Sequence, residues 1–255
     1  MLWVDKHRPK SLEDLNYHDS TTQRLSSLVE KPETMPHLFV YGPSGAGKKT
    51  RIMALLQKIY GNGALKLKLD KRTFTTPSKR TVEVNMVSSN YHIELCPGDA
   101  GTNDRFVVQE IIKEMASNKS LSSKAGGVDF KIVVLQEVDR LSKQAQAALR
   151  RTMEKYTQTC RLILVCNSAT KVMEPVRSRC LGIRIPAPSV DDVRTILAIL
   201  SIHVAVFACG VATTTVNYYR AISNHQPTNS PSFIPSIDLP RPSNNSLQGT
   251  HHTSR

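Results

Sequence analysis

The segment GPSGAGKKT at 42–50 has the residue types and spacing of a loop that holds phosphate. Gly42, Gly45 and Gly47 let the backbone curl so that successive N–H groups point to one centre, and a helix starting behind them adds its positive pole. Lys48 stands where a phosphate-binding lysine belongs, with Pro43, Ser44, Ala46, Lys49 and Thr50 completing the loop. A structural glycine turn is the alternative, and flanking elements decide between them: the motif works only between a strand and a helix.

The metal chemistry of this loop is incomplete. The residue after the lysine should be Ser or Thr, whose hydroxyl coordinates Mg²⁺, but Lys49 offers a cation. Thr50 comes one residue late and points elsewhere on the helix. In VVLQEVD at 133–139 the strand should end in Asp, to hold Mg²⁺, and then Glu, to orient the attacking water; Gln136 and Glu137 stand there. Both departures act on the same ion, which neutralises charge in the transition state. The expectation is a site that binds ATP or ADP, holds Mg²⁺ weakly or not at all, and hydrolyses very slowly.

The elements that must position these residues are visible in the pattern. HLFVY at 37–41 is a short apolar run before the glycine loop, and TRIMALLQKIYG at 50–61 has helical spacing and stops at Gly61. LKLKL at 65–69 and TVEVNMV at 81–87 alternate as strands do, separated by a Thr/Pro/Ser/Lys turn region. DRFVVQEIIKEMA at 104–116 reads as a helix, with Gly126 and Gly127 closing that unit. FKIVVLQEVD at 130–139 and RLILVCN at 161–167 are continuous apolar runs of the kind buried on both faces of a parallel sheet, with a helix at 142–156 between them. Alternating strands and helices predict an α/β fold with a doubly wound parallel sheet and its ligand at the carboxyl edge.

Charge and composition bound the partners. The formal net charge is +13, and all but three of the 34 Lys+Arg and one of the 21 Asp+Glu precede Leu197, leaving +11 on residues 1–196. A basic folded body points to an anionic partner, nucleic acid first, or is merely a soluble basic surface. The five cysteines show no C-x-x-C pair and no zinc spacing, so they read as reduced thiols of a cytosolic or nuclear protein. MLWVDKHRPK lacks the apolar stretch of a signal peptide. The apolar run at 196–212 contains His203 and sits at the lower limit for a membrane span, and no membrane partner is expected.

WVDKHRP at 3–9, YGPSGAGKKT at 41–50, LQEVDRLSKQAQAALRRTMEKY at 135–156, CRLILVCNS at 160–168 and PVRSRC at 175–180 resemble the boxes of the replication factor C small subunits. These are AAA+ ATPases of the eukaryotic clamp loader. GKKT without the metal-binding Asp resembles the third-subunit type, whose nucleotide site is degenerate. The boxes run in family order and spacing from Trp3 to about Arg194.

The resemblance implies roles by position. Arg179 matches the arginine finger that acts in trans on a neighbour's ATP; on sequence alone it reads as a surface arginine in a loop. Asn167 matches the sensor at a strand end, and otherwise is a strand terminator. Glu137, Arg179 and Asn167 are thus the candidate catalytic residues. Trp3, Val4, Arg8 and Pro9 match the N-terminal box near the adenine, with His7 where the family usually has Tyr. Arg105 and Lys143 match helix starts that touch template phosphates, contacts that give affinity without reading sequence; each could equally be a solvated helix charge. QEIIKEM at 109–115 echoes a clamp-binding Q-x-x-I pattern, although its apolar residues read more simply as core. The implied partners are the other replication factor C subunits in a hetero-pentamer, the sliding clamp PCNA and primer–template DNA, and the implied location is the nucleus.

The resemblance ends where the helical lid should begin. Residues 1–186 are expected to form the nucleotide-binding domain, 187–212 a remnant of the lid start and the apolar segment, and 213–255 a disordered Pro/Ser-rich tail. The lid's second sensor arginine and the helical collar are not recognisable. Two other readings follow: a truncated form that does not join the ring, and an independent P-loop ATPase or nucleotide kinase, against which Lys49 and Gln136 argue.

Overall fold

The computed structural model describes residues 2–75, 81–117 and 130–209, the side chains at 3, 4 and 202–209 excepted. In chain order the elements are α1 (Trp3–Lys6), α2 (Asp19–Glu30), β1 (His37–Tyr41), α3 (Lys48–Tyr60), β2 (Lys68–Thr75), β3 (Thr81–Ser88), β4 (His92–Leu95), α4 (Asp104–Ser117), β5 (Lys131–Leu135), α5 (Lys143–Lys155), β6 (Cys160–Cys166), α6 (Glu174–Arg177), β7 (Cys180–Arg184) and α7 (Val190–Cys209). The seven strands form one sheet in the order β2-β3-β4-β5-β6-β1-β7. From β4 to β7 neighbouring strands are parallel, whereas β2 and β3 make an antiparallel hairpin against β4.

Both faces of the parallel region are covered, as its unbroken apolar runs require. Leu38, Val40, Ile132, Val134, Ile163 and Val165 pack on one face with Leu25 of α2 and Ile52, Leu55 and Leu56 of α3. Phe39, Val133, Leu135, Leu162 and Leu164 pack on the other with Val107, Val108, Ile111 and Ile112 of α4 and Leu149 and Met153 of α5. Alternation along each strand thus divides the core in two, and each large side chain so buried contributes on the order of 1.5–3 kcal/mol. The expected doubly wound sheet is present, with the glycine loop leaving β1 where the strand order turns back towards β7.

The structure corrects the sequence reading in the hairpin. Residues 61–65 form a 3-10 turn and the strand starts at Lys68 rather than at 65. Asp70 pairs with Met86 and Arg72 with Val84, so charged residues of β2 share the face of buried Val84 and Met86. Leu69 is left 81 % exposed. An alternating run fits either register, and pairing with β3 decides which residues turn inward. Arg72 pairs with Glu114 of α4 and Asp70 accepts from Ser88, which satisfies the inward charges.

Helix α7 runs continuously through most of the segment at 187–212, including most of its apolar run. No helix among the described residues is long and apolar enough to cross a membrane. The chain divides into two units, Met1–His203 and Val204–Arg255. Gly126, Gly127 and the tail at 213–255 lie outside the described residues, as does the turn at 76–80. Cys96, Cys160, Cys166 and Cys180 are free thiols. Burial is the main cause that pushes Cys96 up to about 11 and each of the other three to about 12.

Candidate nucleotide and nucleic-acid sites

The loop at 42–47 stands between β1 and α3, the context its motif requires. Gly47 is left-handed (φ 78°), and a side chain there would run into the Tyr17 hydroxyl. At Gly42 a Cβ would overlap the carbonyl oxygen of Ile185, which is why that backbone approach needs glycine. The Lys48 ammonium donates to the carbonyls of Gly42 (2.7 Å) and Pro43 (2.7 Å) and to Oδ1 of Asn167 (2.9 Å). Asn167 follows the last residue of β6, so neighbouring parallel strands bring these two sequence candidates together. Burial holds the Lys48 pKa below its ordinary value, against the opposing pull of Cys166 and Asp139.

Lys49 and Gln136 meet at a residue the motif reading passed over. Lys49 forms an ion pair with Oε1 of Glu94, and Gln136 Nε2 donates to the same oxygen at 3.2 Å. Glu94 lies in β4, its side chain 8 % exposed, whereas the Lys49 side chain is 52 % exposed. A charged residue fully inside a four-residue strand, HIEL, was the available signal for it.

Glu137 follows Gln136 with left-handed backbone (φ 51°, ψ 45°), unusual for a residue with a side chain. Its Oε2 accepts from Arg140 at 2.6 Å and faces the Cys96 thiol at 3.7 Å.

Arg8, Pro9 and Thr50 line a second cleft of about 500 Å³, together with Lys10, Tyr17, Ile196 and Leu200. Thr50 therefore faces the N-terminal box and α7. Trp3 and Val4 lie in α1, the short helix that forms the first part of that box. Arg51 joins this region to α3: it is fully buried, donates to Tyr17 O (2.7 Å) and Thr22 Oγ1 (3.0 Å), and stacks over the Tyr17 ring. Its role as an anchor was not foreseen from the sequence, because an arginine at a helical position reads as surface.

On the other face of the sheet a groove of about 550 Å³ runs between α4, α5 and α6, lined by Arg105, Gln109, Arg150, Arg151, Glu154 and Pro175 among others. Arg105 and Lys143 stand at the starts of α4 and α5. Asp104 links these helices, accepting from the N–H and hydroxyl of Ser142 at 2.7 and 3.0 Å. Arg179, after α6, donates to Glu154 Oε1 (2.7 Å from Nε) and Pro175 O (2.6 Å). Of the echoed segment at 109–115, Ile111, Ile112 and Met115 are buried in the core and Gln109 lines the groove.

Residues 17–189 match the family model described as DNA polymerase III, delta subunit. Replication factor C subunit 3 of Mus musculus is 54 % identical over 197 residues, 77 % of this chain and 55 % of that protein. The probable replication factor C subunit 3 of Dictyostelium discoideum is 55 % identical over 199 residues, 78 % and 57 % of the two chains. Replication factor C subunit 5 of Saccharomyces cerevisiae is 51 % identical over 201 residues, 77 % and 57 %. The chain thus spans little more than half the length of these relatives. Among solved structures, the Thermotoga maritima RuvB Holliday junction branch migration motor aligns with 74 % of this chain and 52 % of its own at 16 % identity, with a TM-score of 0.45. With its glycine loop, its strand-end residues and these relatives in one frame, the chain belongs to the DNA polymerase III delta-subunit family and is similar over most of its length to replication factor C subunits.

Proposed function

We propose that this chain is a clamp-loader subunit that holds a nucleotide, hydrolyses it scarcely if at all, and acts on a neighbour through Arg179. The observation that carries this reading is the Lys48 ammonium fixed at the glycine loop by two carbonyls and by Asn167. Those contacts keep a positive charge beside the N–H groups that would cradle phosphates. ATP or ADP is the nucleotide, with the cleft beside Arg8, Pro9 and Thr50 on its adenosine side. The partners are other replication factor C subunits in a hetero-pentamer, the sliding clamp PCNA and primer–template DNA. The setting is replication and repair in the nucleus.

Magnesium fits this loop poorly. It demands near-octahedral oxygen ligands, yet Lys49 brings an ammonium and Gln136 turns an amide N–H towards Glu94, whose Oε1 both side chains share. Glu137, the residue placed to orient the attacking water, has its Oε2 engaged by Arg140. Slow turnover follows from these two departures together.

Arg179 is prepositioned by Glu154 and Pro175 at the edge of the α4–α5–α6 groove, a placement suited to reaching across a subunit boundary. An arginine delivered in trans accelerates phosphoryl transfer by about 10³–10⁵-fold. The test is ATP hydrolysis by the partner subunits co-expressed with this chain, with DNA and clamp present, comparing wild type with Arg179→Ala. A fall of about a hundredfold or more at the neighbouring site is expected. Failure to copurify, or an unchanged rate, overturns the proposal.

A further inference from the structure

We infer that Lys49, steered by Glu94, is a built-in counter-cation for the nucleotide, so that this site binds adenine nucleotide without a divalent metal. The inference rests on the reading of the loop as a nucleotide site and adds what replaces the ion there.

Geometry carries it. Lys49 and Gln136 occupy the two positions that hold magnesium in a working phosphate loop, and such an ion sits between those side chains. Here both converge on one atom, Oε1 of Glu94, with Gln136 Nε2 at 3.2 Å. The Lys49 ammonium is therefore held on the same carboxylate oxygen as the Gln136 amide, so the cation and the second position share one anchor. Glu94 is parallel-paired with Val134, two residues before Gln136, so the sheet itself fixes the distance between the carboxylate and the end of β5.

Charge and exposure give the pair a direction. Glu94 is buried and Lys49 is half exposed, so the carboxylate anchors from inside while the Lys49 side chain stays open to solvent. An ammonium has three N–H donors, and Glu94 Oε1 occupies one of them, leaving others for phosphate oxygens. Lys48 stays committed to Gly42, Pro43 and Asn167 at the neighbouring position. Two adjacent lysines thus divide the work, one closing the loop and one standing in for the metal. A lysine that merely neutralised a buried glutamate would serve as well from any nearby backbone position. This one projects from the second residue of α3, where the helix start already favours an anion.

The experiment titrates ADP into the full chain by calorimetry, once with millimolar Mg²⁺ and once with EDTA, for wild type and for Lys49→Ser. For wild type the two dissociation constants should agree within about threefold, and Lys49→Ser should weaken binding in EDTA by about tenfold or more. The paired variant Lys49→Thr with Gln136→Asp should regain affinity only when Mg²⁺ is present. Binding of ADP by wild type that EDTA abolishes overturns this inference and leaves the nucleotide reading intact. EDTA-insensitive binding that Lys49→Ser leaves unchanged overturns it too, reducing the pair to a structural salt bridge. No binding in either buffer overturns the nucleotide reading and this inference together. Because the wild-type comparison stands alone, an unstable variant does not remove the test.

Discussion

Asp104 and Ser142, 38 residues apart, are joined by two hydrogen bonds from the Ser142 backbone N–H and hydroxyl into the two oxygens of one carboxylate. A third bond comes from the N–H of Arg105, at 2.7 Å. Ser142 in turn caps α5 by accepting from Ala145 N. The starts of α4 and α5 are thereby locked together, and the residues next in line, Arg105 and Lys143, present their charges from one end of the helix pair.

This lock separates two ways of weakening DNA binding. Arg105→Ala and Lys143→Ala each remove a proposed phosphate contact, so each should weaken binding at any sequence and flatten the dependence of log K on log salt by about 1. Asp104→Ala removes no positive charge and leaves buried donors unpaired. It should cost on the order of 2–4 kcal/mol of stability and disturb DNA binding through geometry while the salt slope barely changes. Fluorescence anisotropy on primer–template DNA across a salt series, beside urea unfolding, reads both quantities. Wild-type slopes for Arg105→Ala and Lys143→Ala would assign these residues to the solvated surface.

The bond between Lys48 and Asn167 yields a graded prediction. Lys48→Ala should remove ADP binding, because the loop loses the cation that its carbonyls hold. Asn167→Ala keeps the bonds to Gly42 and Pro43 and should cost only one neutral-acceptor hydrogen bond to an ammonium, about 1–2 kcal/mol or roughly tenfold in affinity. Calorimetry on the two variants ranks them, and equal losses would mean that Asn167 itself contacts the nucleotide.

Most of the site was legible because its residues obey local rules. Glycine spacing, a following lysine and a strand-ending Asn carry their meaning in their immediate neighbours. Glu94 does not, since its role depends on β4 lying beside β5 and on α3 starting above both. Strand β4 itself escaped notice because two of its four residues, His92 and Glu94, are polar and yet buried. Of the two alternating stretches, 81–87 matches β3, whereas the one at 65–69 overlaps β2 only at Lys68 and Leu69, because the alternation of LKLKL does not say where pairing with β3 begins. Helix α2 was missed because Leu25 is its sole fully buried residue, too little for a period to show. Each of these depends on pairing across the sheet or packing between elements, which no window along the chain contains.

His92, two residues before Glu94 in β4, makes the fold's stability sensitive to acid. It is 0 % exposed, its Nδ1 lies 2.9 Å from Ser89 Oγ, and its Nε2 has no hydrogen-bond partner. Burial lowers its pKa from 6.5 to about 4, with Glu94 pulling the other way. The unfolded chain therefore takes up a proton near pH 6.5 that the folded chain refuses until about pH 4. The unfolded state binds more protons throughout that window, so stability is full above it and falls as the pH drops through it. At 1.36 kcal/mol per unit the loss attributable to His92 is on the order of 3 kcal/mol by pH 4. Burial lowers the pKa of His37 as well, which adds a loss of the same sign. Urea unfolding between pH 7.5 and 5 should show wild type losing roughly 2 kcal/mol more than His92→Gln, whose amide stays neutral. Parallel curves for the two proteins would mean that His92 is protonated in the folded state, with Glu94 close enough to keep the charge.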